Sequence, residues 1–202
     1  MTIVDSLIER VQQTQHGFTD ILRAADEVVA ERSDALELAY TLFNSDVHQA
    51  RMLAVFIFGR FAAKSQDVLT FLRDEVSKDE NWRVQEILAQ AFDQYCADAG
   101  YERVLPVIRE WLGDERAHVR RAVSEGLRIW THRPYFREHP ETAVEWLGAL
   151  HADSSEYVRK SAGNALRDIS RKYPELVRDE IQRWDISNKH IKQTYKLASK
   201  FL

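Results

Sequence analysis

One segment of the sequence carries an aromatic side chain and a carboxylate at a spacing that could serve chemistry. In the stretch DENWRVQEILAQAFD, Trp82 and Glu86 are four residues apart, so a helix would place both on one stripe. The tryptophan ring attracts a cation, and the carboxylate of Glu86 adds a full negative charge beside it. The pair could therefore receive a cationic ligand. Two plainer interpretations stay open: Trp82 covers a neighbouring repeat, and Glu86 is a solvated surface charge.

Five basic residues form a second candidate set, and all of them lie in the C-terminal half. Residues 1–117 carry 12 Lys and Arg against 21 Asp and Glu, whereas residues 118–202 carry 16 against 11. This asymmetry favours a basic face that meets an anion, with a mixed surface charge as the alternative. The five candidate cations are Arg121, Arg128, Lys160, Arg167 and Arg171.

A repeat in the sequence predicts the elements that must position these residues. Three segments align without a gap from Asp79, Asp114 and Asp153, at spacings of 35 and 39 residues. In each, a Val follows the Asp by five residues, and a large apolar residue follows that Val by eight. A looser copy begins at Ser45. Amphipathic segments before the three copies predict a shorter first helix for each, at residues 67–75, 104–111 and 142–150.

A helix pair repeated every 35–40 residues is typical of an α-solenoid of the HEAT type. We therefore predict an all-α fold, a right-handed α-solenoid of HEAT-like helix pairs with a concave groove. Strand-like alternation is absent and no linker interrupts the pattern, so residues 1–202 are predicted to form a single domain. The second helix of each pair would present one face to the core and the other to the groove.

The alignment separates these two faces. It places Trp82, Glu86 and the candidate cations in the groove column, and it predicts that Arg120 and Arg159 pair with the Asp of the next repeat. For some of the candidate cations, too, an ion pair with the Asp of the next repeat is the alternative to a role in the groove. The packed column comprises Val84, Ile87, Leu88, Ala91 and Phe92, then Val119, Ala122, Val123, Gly126 and Leu127, then Val158, Ser161, Ala162, Ala165 and Leu166.

Other kinds of chemistry find little support in the sequence. The single cysteine, Cys96, excludes an internal disulfide and a cysteine-based zinc cluster. Metal-binding and nucleotide-binding motifs are absent, so we expect no metal and no cofactor. No apolar run approaches the roughly 18 residues that a membrane span needs. We therefore expect no membrane association and a reduced cytoplasmic location.

Several segments resemble a known family. The stretches NWRVQE, VRRAVSEG and YVRKSAGNALRDISRKYPELV are similar to the HEAT-like-repeat DNA alkylation repair proteins, which are bacterial 3-methyladenine/7-methylguanine DNA glycosylases. The resemblance covers roughly residues 35–180 and mixes features of the two branches called AlkC and AlkD. It implies a monomer that binds alkylated or distorted double-stranded DNA, associated with the nucleoid in the bacterial cytoplasm.

The resemblance also implies roles for individual residues. Trp82 matches a lesion-facing tryptophan one turn before the catalytic carboxylate, and Glu86 matches that carboxylate. The AlkD branch has Asp there, and Glu is closer to the AlkC branch. Asn164 stands where the AlkD branch has a second groove tryptophan. Arg167 matches a phosphate-contacting arginine, and Asp168 resembles a second acidic residue of the AlkC branch.

The implied activity is excision of cationic alkylated purines from DNA without full flipping of the base. A carboxylate beside the sugar would stabilise the positive charge that develops there and orient a water molecule for attack. Two alternatives stay open. Asn164 and Glu86 also fit paralogues that bind bent or branched DNA without catalysis, and the net charge of −4 would suit a protein–protein scaffold.

Overall fold

The computed structural model describes residues 2–202, and over that range it contains thirteen α-helices and no β-strand. This confirms the predicted all-α solenoid class. None of the helices in that range is long and apolar enough to cross a membrane. The first helices predicted before the three repeat copies are present, within two residues of the expected positions, at Gln66–Asp74, Leu105–Leu112 and Pro140–Gly148.

The chain divides into two compact units, Met1–Ala99 and Gly100–Leu202. The second begins at Gly100, whose φ of 90° lies in the left-handed region that favours glycine. That the chain forms a single domain, that the solenoid is right-handed and that it has a concave groove all stay predictions. The first unit contains α1 (Ile3–Gln12), α2 (Thr19–Glu31), α3 (Ala35–Phe43), α4 (His48–Phe61), α5 (Gln66–Asp74) and α6 (Trp82–Ala99). The second contains α7 (Leu105–Leu112), α8 (Ala117–Gly126), α9 (Pro134–Glu138), α10 (Pro140–Gly148), α11 (Glu156–Ser170), α12 (Pro174–Ile181) and α13 (Lys189–Ala198).

In the first unit, α4 packs lengthwise against α6. A Cβ atom at Gly59 would lie only 3.0 Å from the Cα of Ala91, so the two helices approach closely where both residues are small. The apolar face of α6 is fully covered, because its packed-column residues are all buried. The same burial leaves Trp82 and Glu86 on the opposite side of the helix.

In the second unit, α8, α11 and α13 pack side by side. A Cβ atom at Gly163 would lie 2.9 Å from the Cβ of Leu197 and 3.1 Å from the carbonyl oxygen of Thr194. Only glycine therefore allows α11 and α13 to lie this close together. The packed column of α8 and α11 is buried as predicted, apart from Gly126 at the end of α8, which is half-exposed.

Arginine–aspartate pairs connect successive second helices. Arg120 donates to both carboxylate oxygens of Asp153, at 2.7 and 2.8 Å, which confirms the predicted pairing. Arg51 pairs with Asp79 in the same way in the first unit, at 2.6 Å. The prediction for Arg159 is wrong: it donates to the side-chain oxygen of Gln193 at 3.0 Å. Asp185 instead accepts from the backbone N–H and the hydroxyl of Ser187 in the turn before α13.

Candidate functional site

The start of α6 is fixed by several contacts, and these determine where Trp82 lies. Asn81 caps the helix, because its side-chain oxygen accepts from the backbone N–H of Arg83 at 2.9 Å. Asp79 accepts from the backbone of Asn81 while Arg51 holds its carboxylate. The buried Gln85 donates to the carbonyl oxygens of Val76 and Asp79. A rigid helix start therefore carries Trp82 as its first residue.

Trp82 and Glu86 lie one turn apart on α6, as predicted. Trp82 is 63% exposed, which is unusual for the largest side chain, whereas Glu86 is half-buried. The guanidinium of Arg83 lies over the indole ring, 4.5 Å from its centroid. The ring thus already attracts a cation within the chain. This arrangement suits a flat, positively charged ligand that stacks on an aromatic surface beside a carboxylate.

The second unit brings Arg128, Arg167 and Asp168 together. Arg128 donates to Asp168 at 2.8 Å and to Glu125 at 3.0 Å. Arg167 reaches the other oxygen of Asp168 at 3.2 Å. Glu125 also accepts from Ser161 at 2.8 Å. Burial lowers the pKa of Arg128, but the hydrogen bond to Asp168 and the two carboxylate charges outweigh this and raise the pKa overall.

In these contacts, two guanidinium groups meet two carboxylates. Asp168 is only 12% exposed, and both its oxygens are engaged by arginines. A carboxylate held in this way positions Arg128 and Arg167 and has little capacity left to orient water. The family resemblance predicts that Asp168 is a second catalytic residue in addition to Glu86. The geometry favours a positioning role for it within the second unit.

The remaining candidate cations lie in different surroundings. Lys160 forms an ion pair with Glu156 at 2.6 Å on the surface of α11. The guanidinium of Arg171 lies over the ring of Phe201, at 4.4 Å. Arg121 is half-buried on α8, and its charge lowers the pKa of His118, after the larger effect of burial. Arg128, Lys160 and Arg167 thus have carboxylate partners within the chain, but none of these partners is the Asp that opens the next repeat.

Asn164 lines a cavity of about 450 Å³ between α11 and α13. Lys160 lies on the same side, and α13 contributes lysines at i, i+3 and i+7. These three lysines could not be predicted from the repeat, because α13 lacks its Asp–Val pattern. Their spacing along one helix face was the signal that could have found them. They are Lys189, Lys192 and Lys196.

Metal chemistry finds no site in the part of the chain that the structure describes. Within residues 2–202, no three His, Cys, Asp or Glu side chains are grouped so that they could hold an ion. The single cysteine, Cys96, is buried in α6. The arrangement of α6 instead offers an aromatic surface and a carboxylate, and the second unit offers cations.

A helical solenoid with these features belongs to a defined class of proteins. The family model described as "DNA alkylation repair enzyme" matches residues 11–200, and the chain belongs to that family. The resemblance stated from the sequence is thereby confirmed. The description of this family names the repair of alkylated DNA.

Particular relatives are similar over most of the chain. AlkD2 from Streptococcus mutans is 50% identical with a TM-score of 0.95, over 98% of this chain and 97% of that one. The protein smu.31 from Streptococcus mutans UA159 is 46% identical with a TM-score of 0.92, over the full length of both chains.

Two further relatives are longer than this chain. The alkylpurine DNA glycosylase AlkC of Pseudomonas fluorescens, bound to DNA containing an abasic site analog, is 27% identical with a TM-score of 0.53. The match covers 98% of this chain and 61% of AlkC. The uncharacterized protein YhaZ of Bacillus subtilis is 34% identical over 107 residues, 49% of this chain. This chain therefore aligns with only 30% of the length of that curated relative.

Proposed function

We propose that this protein is a DNA glycosylase that excises cationic alkylated purines, such as 3-methyladenine and 7-methylguanine, from double-stranded DNA. The observation that carries the proposal is the exposed Trp82 one turn before the half-buried Glu86, on a helix whose start is rigidly held. Family membership and the DNA-bound AlkC neighbour support DNA as the partner.

The reaction needs few groups from the protein. An N3- or N7-alkylated purine carries a positive charge, so the bond between its nitrogen and the sugar C1′ is already weakened. As that bond breaks, its electron pair returns to the base, which leaves neutral, and positive charge develops on the sugar. Glu86 stabilises this charge and orients a water molecule, whose oxygen bonds to C1′ and whose proton is lost to solvent.

The side chain of Trp82 supplies the binding surface in this proposal. Stacking on an aromatic ring tolerates any flat base, and a cationic base gains an additional attraction to the ring. Because the base leaves without a proton from the enzyme, no general acid is required. Asp168 contributes indirectly by holding Arg128 and Arg167 in position.

A second candidate is a paralogue that binds bent or branched DNA without catalysis. The placement of Asn164 favours it, because this residue lines a cavity together with lysines and supplies no second aromatic ring. Both candidates require DNA binding that weakens with salt. Only the first requires release of a free base.

The proposal is tested by measuring base release from methylated duplex DNA with wild type and Glu86→Gln. Loss of one preorganised group that stabilises the transition state costs about 10²–10³-fold in rate, so Glu86→Gln should lower release by that order. Glu80→Gln is the matched control, because Glu80 is exposed and lies just before the start of α6.

The outcomes separate the candidates. We expect Glu80→Gln to release base at the wild-type rate. Equal release by wild type and Glu86→Gln would show that Glu86 is not the catalytic carboxylate. If wild type releases no base but binds the duplex, the non-catalytic candidate is correct.

A further inference from the structure

The cavity between α11 and α13 is lined by four lysine side chains. Lys189, Lys192 and Lys196 are all exposed, and none of them forms an ion pair in the structure over residues 2–202. Glu156, the carboxylate at this edge, is already bound by Lys160 at 2.6 Å and by Gln193 at 3.1 Å. The three lysines of α13 therefore face the cavity without compensation.

The position of these lysines is fixed by the packing of the two helices. Gly163 allows α13 to lie directly against α11, where a Cβ atom would meet Leu197 at 2.9 Å. Asn188 caps the start of α13 with its side-chain oxygen, which accepts from the backbone of Ile191. The lysines thus project from a well-anchored helix, and Gln193 and Asn164 add amide groups beside them.

The lining indicates which ligand would occupy the cavity. Ammonium groups bind phosphate oxygens as point charges, and side-chain amides donate further hydrogen bonds. Among the described residues that line the cavity, none is aromatic, and Leu197 is the apolar one. A free nucleotide would find no surface on which to stack its base. A nucleic-acid backbone makes no such demand, because it presents successive phosphates and keeps its bases elsewhere.

We propose that the α11–α13 cavity is a phosphate-binding site in which Lys189, Lys192 and Lys196 hold backbone phosphates of duplex DNA. This rests on the proposed function, to which it adds an anchor that sets the position of the DNA and reads no sequence.

The test measures affinity for an unmodified DNA duplex over a series of NaCl concentrations. The variant Lys189→Gln/Lys192→Gln/Lys196→Gln is compared with Arg103→Gln/Arg109→Gln/Arg137→Gln, which removes the same charge from exposed positions outside the cavity. Each phosphate contact contributes about −0.9 to the slope of log K against log[salt]. The lysine variant should therefore lose about 2–3 of that slope. The arginine variant should keep the wild-type slope.

Several outcomes would overturn the site. These are an unchanged slope in the lysine variant, an equal loss in the arginine variant, or no duplex binding by wild type at low salt. A calorimetric titration with pyrophosphate tests whether the cavity binds small phosphates instead of DNA. Lysine-dependent pyrophosphate binding with an unchanged DNA slope would assign the cavity to small phosphates and contradict the proposal.

Base release distinguishes this proposal from the function on which it rests. If wild type releases base and the lysine variant keeps its slope, the lysine site is wrong and the proposed function stands. If the slope falls but no base is released, the lysine site stands and glycosylase activity is wrong. Far-UV circular dichroism of both triple variants confirms that they remain folded.

Discussion

At the scale of single residues, Trp82 is positioned by the backbone around it. The Asn81 cap and the ion pair of Arg51 with Asp79 fix the first turn of α6, so the indole ring projects outward without burial in the core. Exposure of a tryptophan forgoes the stabilisation that burial of so large an apolar surface would give. A binding role accounts for that loss.

We expect Trp82→Ala to lower the efficiency of base release without loss of stability. Base–aromatic stacking contributes about 1–3 kcal/mol per base, which corresponds to a loss of roughly 5–150-fold in kcat/KM. Trp82→Phe should retain most of the activity because it keeps an aromatic face. Single-turnover rates and thermal unfolding of both variants check this.

Tyr157→Ala provides the control for that prediction. Tyr157 is 70% exposed as the second residue of α11, so its loss removes another surface aromatic near a helix start. We expect wild-type rates from it. Unchanged kinetics in Trp82→Ala, or an equal loss of base-release efficiency in Tyr157→Ala, would show that Trp82 does not face the lesion.

The pairings of individual side chains were the least predictable part of the site. The repeat alignment placed Arg128 and Arg167 in the groove column, but it did not show that Arg128 contacts Asp168, which lies 40 residues further along the chain. Their contact depends on rotamers and on the separation of α8 and α11, which no local pattern encodes. The sequence likewise could not show that Asp168 is engaged by two arginines.

At the scale of helices, the Arg–Asp pairs fix the spacing of the repeats. Arg120 also donates to the carbonyl oxygens of Asp114 and Glu115, and Arg51 makes the same contacts with Ser45 and Asp46. One guanidinium therefore donates hydrogen bonds both to carbonyl oxygens of the loop before its own helix and to the carboxylate of the next repeat. Such a group stabilises both the helix start and the packing of neighbouring pairs.

We expect Arg120→Gln to destabilise the protein strongly. Arg120 and Asp153 are 12% and 7% exposed, and removing one partner of a buried pair costs about 3–5 kcal/mol. Urea unfolding measures the free energy of unfolding directly. Arg103→Gln, at an exposed position, should change it by less than about 0.5 kcal/mol. A loss below about 1 kcal/mol in Arg120→Gln would show that the pair behaves as a surface contact.

The helices themselves were largely predictable from the sequence. The repeat spacing located the second helices, and their apolar periodicity identified the buried faces correctly. The pattern failed where α13 departs from it. Ile191 takes the place of the repeat valine there, with Asn188 as the cap and without the Asp of the other copies. Both the partner of Arg159 and the lysine stripe were missed for that reason.

At the scale of the whole molecule, each unit supplies a different kind of group. The first unit, Met1–Ala99, carries the aromatic surface and the half-buried carboxylate of α6. The second unit, Gly100–Leu202, carries the arginine–carboxylate network around Asp168 and the lysines of α13 that form no ion pair. The proposed division of labour is recognition of the lesion by the first unit and binding of DNA phosphates by the second.

In the proposed function, a positive charge on the purine makes excision possible without a general acid. It is tested by identifying the base released from two otherwise identical duplexes. One contains a single 7-methylguanine, which is cationic, and the other a single O6-methylguanine, which is neutral. We predict release of 7-methylguanine well above its spontaneous loss and no release of O6-methylguanine. Release of both at equal rates, or of neither, would contradict the claim.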